Sequence, residues 1–360
     1  MGERVYLDWN ASAPLRLEAR QAMISAIDAT GNPSSVHLEG RAAKAVLEKA
    51  RCAIGESLGF DPERVVFTSG ATEAAALALA GRSMKSSGIE HEAVLAWTEQ
   101  VLEVDEFGMV QVEEPESSAL QSANGETGIL QNVPEGIGVV DATQAVGKIP
   151  VNSELNRAAL AITSAHKFGG PKGVGALLLS EGQEIVSRQR GGGQELGRRS
   201  GTENVAAAAG FGAAVCAAVR EVDEGDWELV RELRDAFESR LMNSVRDIVV
   251  IGRGSNRLPN TSCFAVPGWR SDLQVIQLDL DGYAISAGSA CSSGKVRGRN
   301  ALKSLGLSEE LSNSAVRVSF GPSTSQSDLF GFADAWIRRC SEHIERQKRK
   351  SKSAMRARAA

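Results

Sequence analysis

Aromatic residues are scarce in this chain, only 5% of the total, and histidine is scarcer still, with 4 in 360 residues. Few aromatics are ordinary for an Ala- and Gly-rich α/β enzyme. Cysteine is also sparse. Cys52, Cys216, Cys263, Cys291 and Cys340 form no C-x-x-C pair, which argues against a zinc ribbon or a disulfide framework. Free thiols suit a reduced, cytoplasmic compartment. A basic excess is missing too: the formal net charge is -5, which gives no support to nucleic-acid binding. No stretch is expected to reach the length of a membrane span, and recognisable motifs begin within the first ten residues, leaving no room for a targeting segment.

What is present is enough chain for a large and a smaller domain, each with its own core. Strand and helix signals alternate over 65–179, which predicts a mostly parallel sheet with helices on both faces. A charged amphipathic helix is expected within 32–59, an alanine-rich helix over 205–219, and a long charged amphipathic helix over 226–243. The segment 248–338 would form the second domain, with the first few residues packed alongside. No internal repeat is visible.

Chemistry concentrates in a few short segments. In Ser164-Ala165-His166-Lys167-Phe168-Gly169-Gly170, an apolar run ends in small residues, a lysine and a glycine turn. An amine at the end of a buried strand can lose its proton and form a Schiff base with a carbonyl; alone, the pattern more often marks a solvated surface lysine. Val139-Val140-Asp141-Ala142-Thr143-Gln144 places a carboxylate at another strand end, where it either faces a pyridine nitrogen or caps the next turn. Thr68-Ser69-Gly70-Ala71-Thr72-Glu73 reads as strand, turn and helix start, a pattern that suits an anion. His91, near the start of a short apolar stretch, is either structural or stacks on an aromatic ring. Cys291 differs from the other cysteines. It sits among Gly, Ser and Ala with Lys295, Arg297 and Arg299 soon after, and nearby cations favour a thiolate.

Together these segments resemble the pyridoxal-phosphate-dependent cysteine desulfurases. The resemblance runs from Tyr6-Leu7-Asp8 to Val316-Arg317-Val318-Ser319 and includes Arg199-Ser200-Gly201-Thr202-Glu203-Asn204. Gly288-Ser289-Ala290-Cys291-Ser292-Ser293-Gly294 is similar to the cysteine loop of the family's first group, which serves iron–sulfur assembly. The implied fold is α/β, pyridoxal-phosphate fold type I (aspartate-aminotransferase-like), with a mostly parallel central sheet and a smaller α+β domain. The implied division is a large domain over 13–225, a small domain over 1–12 and 226–345, and a basic, unstructured tail over 346–360.

The resemblance also implies roles. Lys167 would hold pyridoxal 5'-phosphate and move protons, Asp141 would pair with the pyridine nitrogen, and Gln144 would bond the ring oxygen. His91 would stack on the ring; Ala71, Thr72, Ser164 and His166 would bind the phosphate. Thr202 would reach across from a partner subunit of a homodimer. Asn124 would sit beside ring and substrate, and Arg317 would grip the carboxylate of L-cysteine. Cys291 would take the sulfur as a persulfide and pass it to an acceptor or scaffold protein. No metal, nucleic acid or membrane is implied.

Some features depart from the family pattern. The stretches between His91 and Asn124, and between Asn124 and Asp141, are short, and Asn10-Ala11-Ser12-Ala13-Pro14 replaces a threonine-rich version. Two alternatives therefore stand beside the desulfurase: another enzyme of the same fold, such as a selenocysteine lyase or aminotransferase, and a trimmed, weakly active sulfur-transfer partner.

Overall fold

The computed structural model describes residues 4–287 and 301–358. The N-terminal half is built from β1 (Val5–Tyr6), α1 (Leu17–Ile27), α2 (Leu38–Leu58), β2 (Val65–Thr68), α3 (Ala71–Leu79), β3 (Met84–Ser87), α4 (Glu92–Leu95) and β4 (Thr98–Leu102). It continues through β5 (Ala119–Gln121), β6 (Ile137–Asp141), α5 (Asn152–Leu155), β7 (Ala158–Ser164), β8 (Gly175–Leu179) and α6 (Val205–Glu224). Five strands form one sheet in the order β2-β8-β7-β6-β5. The β5–β6 and β6–β7 pairs are parallel, and β8 runs antiparallel to both its neighbours. The parallel pair β3–β4 extends this sheet through a parallel bridge from Lys85 to Ser118.

Successive side chains of a strand point to opposite faces, and both faces of this sheet are covered. Val139, Leu160 and Leu177 pack with Ala74, Ala75 and Leu77 of α3, while their neighbours Val140, Ala161 and Leu178 pack with residues of α1, α2 and α6. That two-sided burial explains why these strands read as unbroken apolar runs. Small residues do the close packing. A Cβ on Gly212 of α6 would lie 2.9 Å from the Ala50 Cα of α2, so glycine there sets how closely the two helices approach.

The second half comprises α7 (Asp226–Ser244), β9 (Val249–Ile251), β10 (Thr261–Ala265), α8 (Ser271–Leu280), β11 (Tyr283–Ala284) and β12 (Ser286–Ala287), then α9 (Ala301–Ser304), α10 (Glu309–Ser314), β13 (Ala315–Ser319) and α11 (Gln326–Arg358). Its four-stranded sheet has the order β12-β13-β10-β9, and β1 pairs with β11. A separate core of Trp269, Trp336, Phe237, Phe264 and Phe332 gathers most of the few aromatics. Gly225, at φ 87, supplies the left-handed break between α6 and α7.

Three local expectations change. The alanine-rich helix runs on to Glu224 rather than stopping near residue 219. On length and composition α6 is apolar enough to cross a membrane, although no such stretch was expected. It packs against α1 and α2, with 50% of its apolar window buried. The basic segment 346–358, expected as an unstructured tail, continues α11 as helix. Lys, Arg, Gln and Ala are good helix formers, and cations near a helix C-terminus are favoured by its dipole. The shortening near His91 and Asn124 is visible as well: α4 has only 4 residues, and the β5–β6 connection carries no helix.

Candidate active site

The carboxyl ends of β6 and β7, the start of α3 and the side of β13 converge on a cavity of about 640 Å³. Lys167 lies in the single 3-10 turn that follows β7. Its Nζ donates to the backbone carbonyls of Asn10 at 2.7 Å and Ala11 at 3.1 Å. Burial first, and the Arg317 charge second, push its pKa down from 10.5 to about 8; Asp141 and Asp8 oppose the shift. A fraction of this amine is therefore unprotonated near neutral pH, which a Schiff-base lysine requires.

Asp141 ends β6 and lines the same cavity, and its Oδ1 accepts from the backbone N–H of Thr143 at 2.9 Å. Beside it, Glu90 is buried, with Oε1 accepting from the Gln121 N–H at 3.0 Å and Oε2 unpartnered. Burial, helped by the Asp141 charge, raises the Glu90 pKa well above the carboxylate range against the pull of the Gln121 bond.

At the other end of the cavity, β2 turns into α3 through Gly70, whose φ of 154 suits glycine. Gly175 must also be small, because a Cβ there would lie 2.8 Å from the Gly70 Cα. Ala71 and Thr72 begin α3, where the first N–H groups have no acceptor within the helix. Ser164 and His166 face them across the cavity. Burial, then the charges of Lys167, Lys172 and Lys148, push the His166 pKa down to about 4, so its imidazole is neutral at pH 7. This end is an anion cradle of backbone donors, a hydroxyl and a neutral ring.

On the β13 side, Arg317 donates from one terminal nitrogen to Asp8 Oδ1 at 2.7 Å and from the other to the Gly125 carbonyl at 3.0 Å; among the described residues its buried Nε has no partner. Asn124 is buried in a tight turn. Its Oδ1 accepts from the N–H groups of Glu126 and Thr127, and its Nδ2 donates to Ile89 O at 3.2 Å, so its amide shapes the cavity wall. Gln144 donates from Nε2 to the Asn10 carbonyl at 3.0 Å. His91 caps α4, accepting from the Ala93 N–H at 3.1 Å, and stays exposed at the cavity edge.

Among the residues anticipated from sequence, Lys167, Asp141, Gln144, His91, Asn124, Ala71, Thr72, Ser164, His166 and Arg317 all line this one cavity. Thr202 does not. It is exposed in a separate recess with Thr68, Arg199 and Asn204. Cys291 lies outside the described residues. On either side of its segment, Ser286 pairs with Arg317 across β12–β13, and Ala301 lines the cavity. Of the other cysteines, Cys263 is buried in β10, whereas Cys216 is exposed on α6.

Asn10, Glu90 and Lys148 were not singled out from sequence as site residues. Asn10 and Lys148 are each 1% exposed. The one available signal was a lysine standing four residues after Gln144 in the otherwise apolar run Ala145-Val146-Gly147-Lys148-Ile149-Pro150.

Comparisons with known proteins agree with this geometry. The family described as aminotransferase class-V matches residues 5–332. Cysteine desulfurase IscS of Dictyoglomus turgidum (strain DSM 6724 / Z-1310) is 35% identical over 365 residues, covering 91% of this chain and 92% of that protein. The NifS-like protein from Rickettsia africae ESF-5 has a similar structure, with TM-score 0.85 at 29% identity, covering 93% of this chain and 99% of that one. A structure described as SspA in complex with cysteine gives TM-score 0.71 at 26% identity, covering 89% and 100%.

The cofactor of such enzymes is pyridoxal phosphate, and the residues present fit it. The cavity offers an anion cradle at one end, a carboxylate at Asp141, an amine at Lys167 and a guanidinium with an unpartnered Nε. Fold, cavity and sequence identity agree, and the chain belongs to the cysteine desulfurases of the class-V aminotransferase family.

Proposed function

We propose that this protein converts L-cysteine to L-alanine, collects the sulfur as a persulfide on Cys291 and passes it to an acceptor or scaffold protein for iron–sulfur cluster assembly. The observation that carries this reading is the Lys167 amine, lowered to about pKa 8 in a cavity that also holds Asp141 and Arg317.

Pyridoxal phosphate, when bound, supplies an electron sink for the substrate α-carbon. Ala71, Thr72, Ser164 and His166 would hold its phosphate, Lys167 its carbonyl carbon, Asp141 its ring nitrogen and Gln144 its ring oxygen, with His91 against the ring face and Asn124 at its edge. Arg317 would exchange its Asp8 contact for the substrate carboxylate, which a planar guanidinium grips in two places. Lys167 Nζ, once free, takes the α-proton and returns it. The Cys291 thiolate attacks the substrate sulfur. An S–S bond forms as the C–S bond breaks, and the bonding pair stays with the carbon that is protonated to give alanine.

The same reading takes the protein to be a cytoplasmic homodimer in which Thr202 completes the phosphate site of the partner subunit. Its support is that Thr202 is exposed and outside its own chain's cavity. It also divides the chain near 225/226, supported by the glycine break and the two separate cores. The test is release of alanine and sulfide from L-cysteine under a reductant, with Cys291→Ala and Lys167→Ala beside wild type. Equal release by wild type and failure of both variants supports the desulfurase. Full turnover by Cys291→Ser would point instead to a lyase or aminotransferase of this fold.

A second reading, a weakly active sulfur-transfer partner, is favoured by the four-residue α4 and the exposed His91. It requires that wild type bind pyridoxal phosphate and release neither product.

A further inference from the structure

Lys148 is 1% exposed, and its two hydrogen bonds go to amide oxygens: Gln144 Oε1 at 2.7 Å and Asn10 Oδ1 at 3.1 Å. No carboxylate bonds it among the described residues, and burial first, then the charges of Lys167 and Arg317, push its pKa well below the usual lysine value. Burying an amine beside two cations costs stability, and a methionine would fill similar space without that penalty. Whatever this lysine contributes must therefore lie in the groups it bonds.

We infer that Lys148 is a positioning residue, whose Nζ between Gln144 and Asn10 fixes which end of the Gln144 amide faces the cavity. Both of its partners are amide oxygens, which only accept, so the Lys148 Nζ is the donor in both bonds and holds each oxygen toward itself. With Oε1 committed to Lys148, the Gln144 NH2 points the other way, where one N–H donates to the Asn10 carbonyl at 3.0 Å. The same nitrogen lies against Gly125, where a Cβ would come within 3.2 Å. Gln144 can then offer the site only a donor, which a ring oxygen carrying negative charge accepts.

The second arm acts on Asn10. Lys148 takes its side-chain oxygen, and the Asn10 Nδ2 donates to Thr261 Oγ1 at 2.9 Å and Gly125 O at 3.1 Å. The Asn10 carbonyl accepts from Lys167 at 2.7 Å, and Gly125 O also accepts from Arg317 at 3.0 Å. Asn10 thus links the positioning lysine to the nucleophilic lysine and to the guanidinium. The groups facing Lys167 from the surrounding elements are Lys148, His166, Arg317, Asp141 and Asp8. Removing Lys148 frees the Gln144 amide to turn its oxygen toward the cavity, and the loss of that donor favours a proton on the Lys167 nitrogen in the loaded enzyme.

This rests on the reading that Gln144 faces bound pyridoxal phosphate. The experiment uses the full chain as wild type, Lys148→Met, Gln144→Ala, the double variant and Lys167→Ala. It records the thermal midpoint without cofactor, the affinity for added pyridoxal phosphate, and the pH midpoint of the bound cofactor's visible absorption. Lys148→Met is expected to melt at or above the wild-type temperature, to bind the cofactor about tenfold more weakly, and to shift the absorption midpoint upward. In the Gln144→Ala background the affinity loss from Lys148→Met should largely vanish, since the two act through one bond. Lys148→Gln, which can still donate, should keep more affinity than Lys148→Met. If Lys148→Met does not fold, that variant is compared with Gln144→Ala in its place.

An unchanged affinity and midpoint in Lys148→Met, or the same affinity loss with and without Gln144, overturns the inference. For the substitute comparison, affinity in Lys148→Gln no better than in Gln144→Ala does so. Identical absorption in wild type and Lys167→Ala would sink the cofactor reading itself, and the inference with it.

Discussion

Lys167 Nζ donates at 2.7 Å to the backbone carbonyl of Asn10, a residue 157 positions away in the chain. The amine that ends a strand of the central sheet is thus held by the segment that follows β1. A backbone carbonyl stabilises the protonated amine without neutralising it, so burial and the Arg317 charge still lower its pKa to about 8. Capture of pyridoxal phosphate by cofactor-free protein should therefore be half-maximal near pH 8 and increase as pH rises through that point. Because Arg317 lowers the Lys167 pKa, Arg317→Gln should move the midpoint upward. Stopped-flow absorbance across pH checks this; a midpoint near that of a free lysine would contradict it.

The chemistry at strand ends was legible because a charged residue that closes an apolar run is an exception to that run. Asp141 after Val139-Val140 and Lys167 after the run over 158–162 both stand out in this way. Asn10 and Glu90, which line the cavity, and Lys148, which bonds Asn10 and Gln144 behind its wall, were not, since tertiary contact brings each there. Asn10 meets Lys148 across 138 positions, and no local pattern encodes that meeting. The fold class followed from alternating strand and helix signals, whereas the antiparallel course of β8 and the helical continuation to Arg358 did not. Register is decided by pairing, and a basic run of helix formers resembles a solvated tail until it is seen continuing a packed helix.

Arg317 has its Asp8 contact at 2.7 Å and, among the described residues, a buried Nε without partner, so it is only partly engaged. Lysine at that position would keep the charge but lose the two-point geometry. Arg317→Lys should raise the KM for L-cysteine by about 10- to 100-fold, equivalent to losing one charge-assisted hydrogen bond of about 1.5–3 kcal/mol. The effect on kcat should be smaller. Steady-state alanine release separates the two, and a loss confined to kcat would assign Arg317 to another task.

Glu90 is a buried carboxyl with an unpartnered Oε2 beside Asp141, and its pKa in the folded protein is raised well above 4.5. The folded state thus prefers the protonated form. That preference is fully present below the unfolded pKa and is lost as pH rises through the raised folded value. Glu90→Gln cannot ionise, so its stability relative to wild type should climb with pH across that window and level off above it. The gain should reach about 1–3 kcal/mol, the cost of an unsatisfied buried polar group. Urea unfolding at a series of pH values measures it; a difference that does not change with pH would mean Glu90 is stably ionised by a group not accounted for.

Ahead of Thr202, the chain is held by an internal strut. Glu195 takes two hydrogen bonds from Arg51 at 2.8 Å each and a third from the Phe67 N–H at 2.9 Å, while the Arg51 guanidinium lies 4.9 Å from the Phe67 ring centroid. Both charged residues are buried, and Glu195 and Leu196 adopt φ of 50 and 55, a region that disfavours side chains. The ion pair therefore holds a strained backbone in place. Glu195→Ala should cost about 3–5 kcal/mol, because it leaves the buried Arg51 with only the half-exposed Glu48 carboxylate, at 3.2 Å, as counter-charge. Leu196→Gly should do the opposite and stabilise by about 1 kcal/mol, since Leu196 is 72% exposed and contributes strain with little burial. Denaturant midpoints of the two variants test this opposition. A Glu195→Ala protein as stable as wild type would mean that Arg51 finds solvent, and that the recess lined by Glu195 and Leu196 opens more readily than its packing implies.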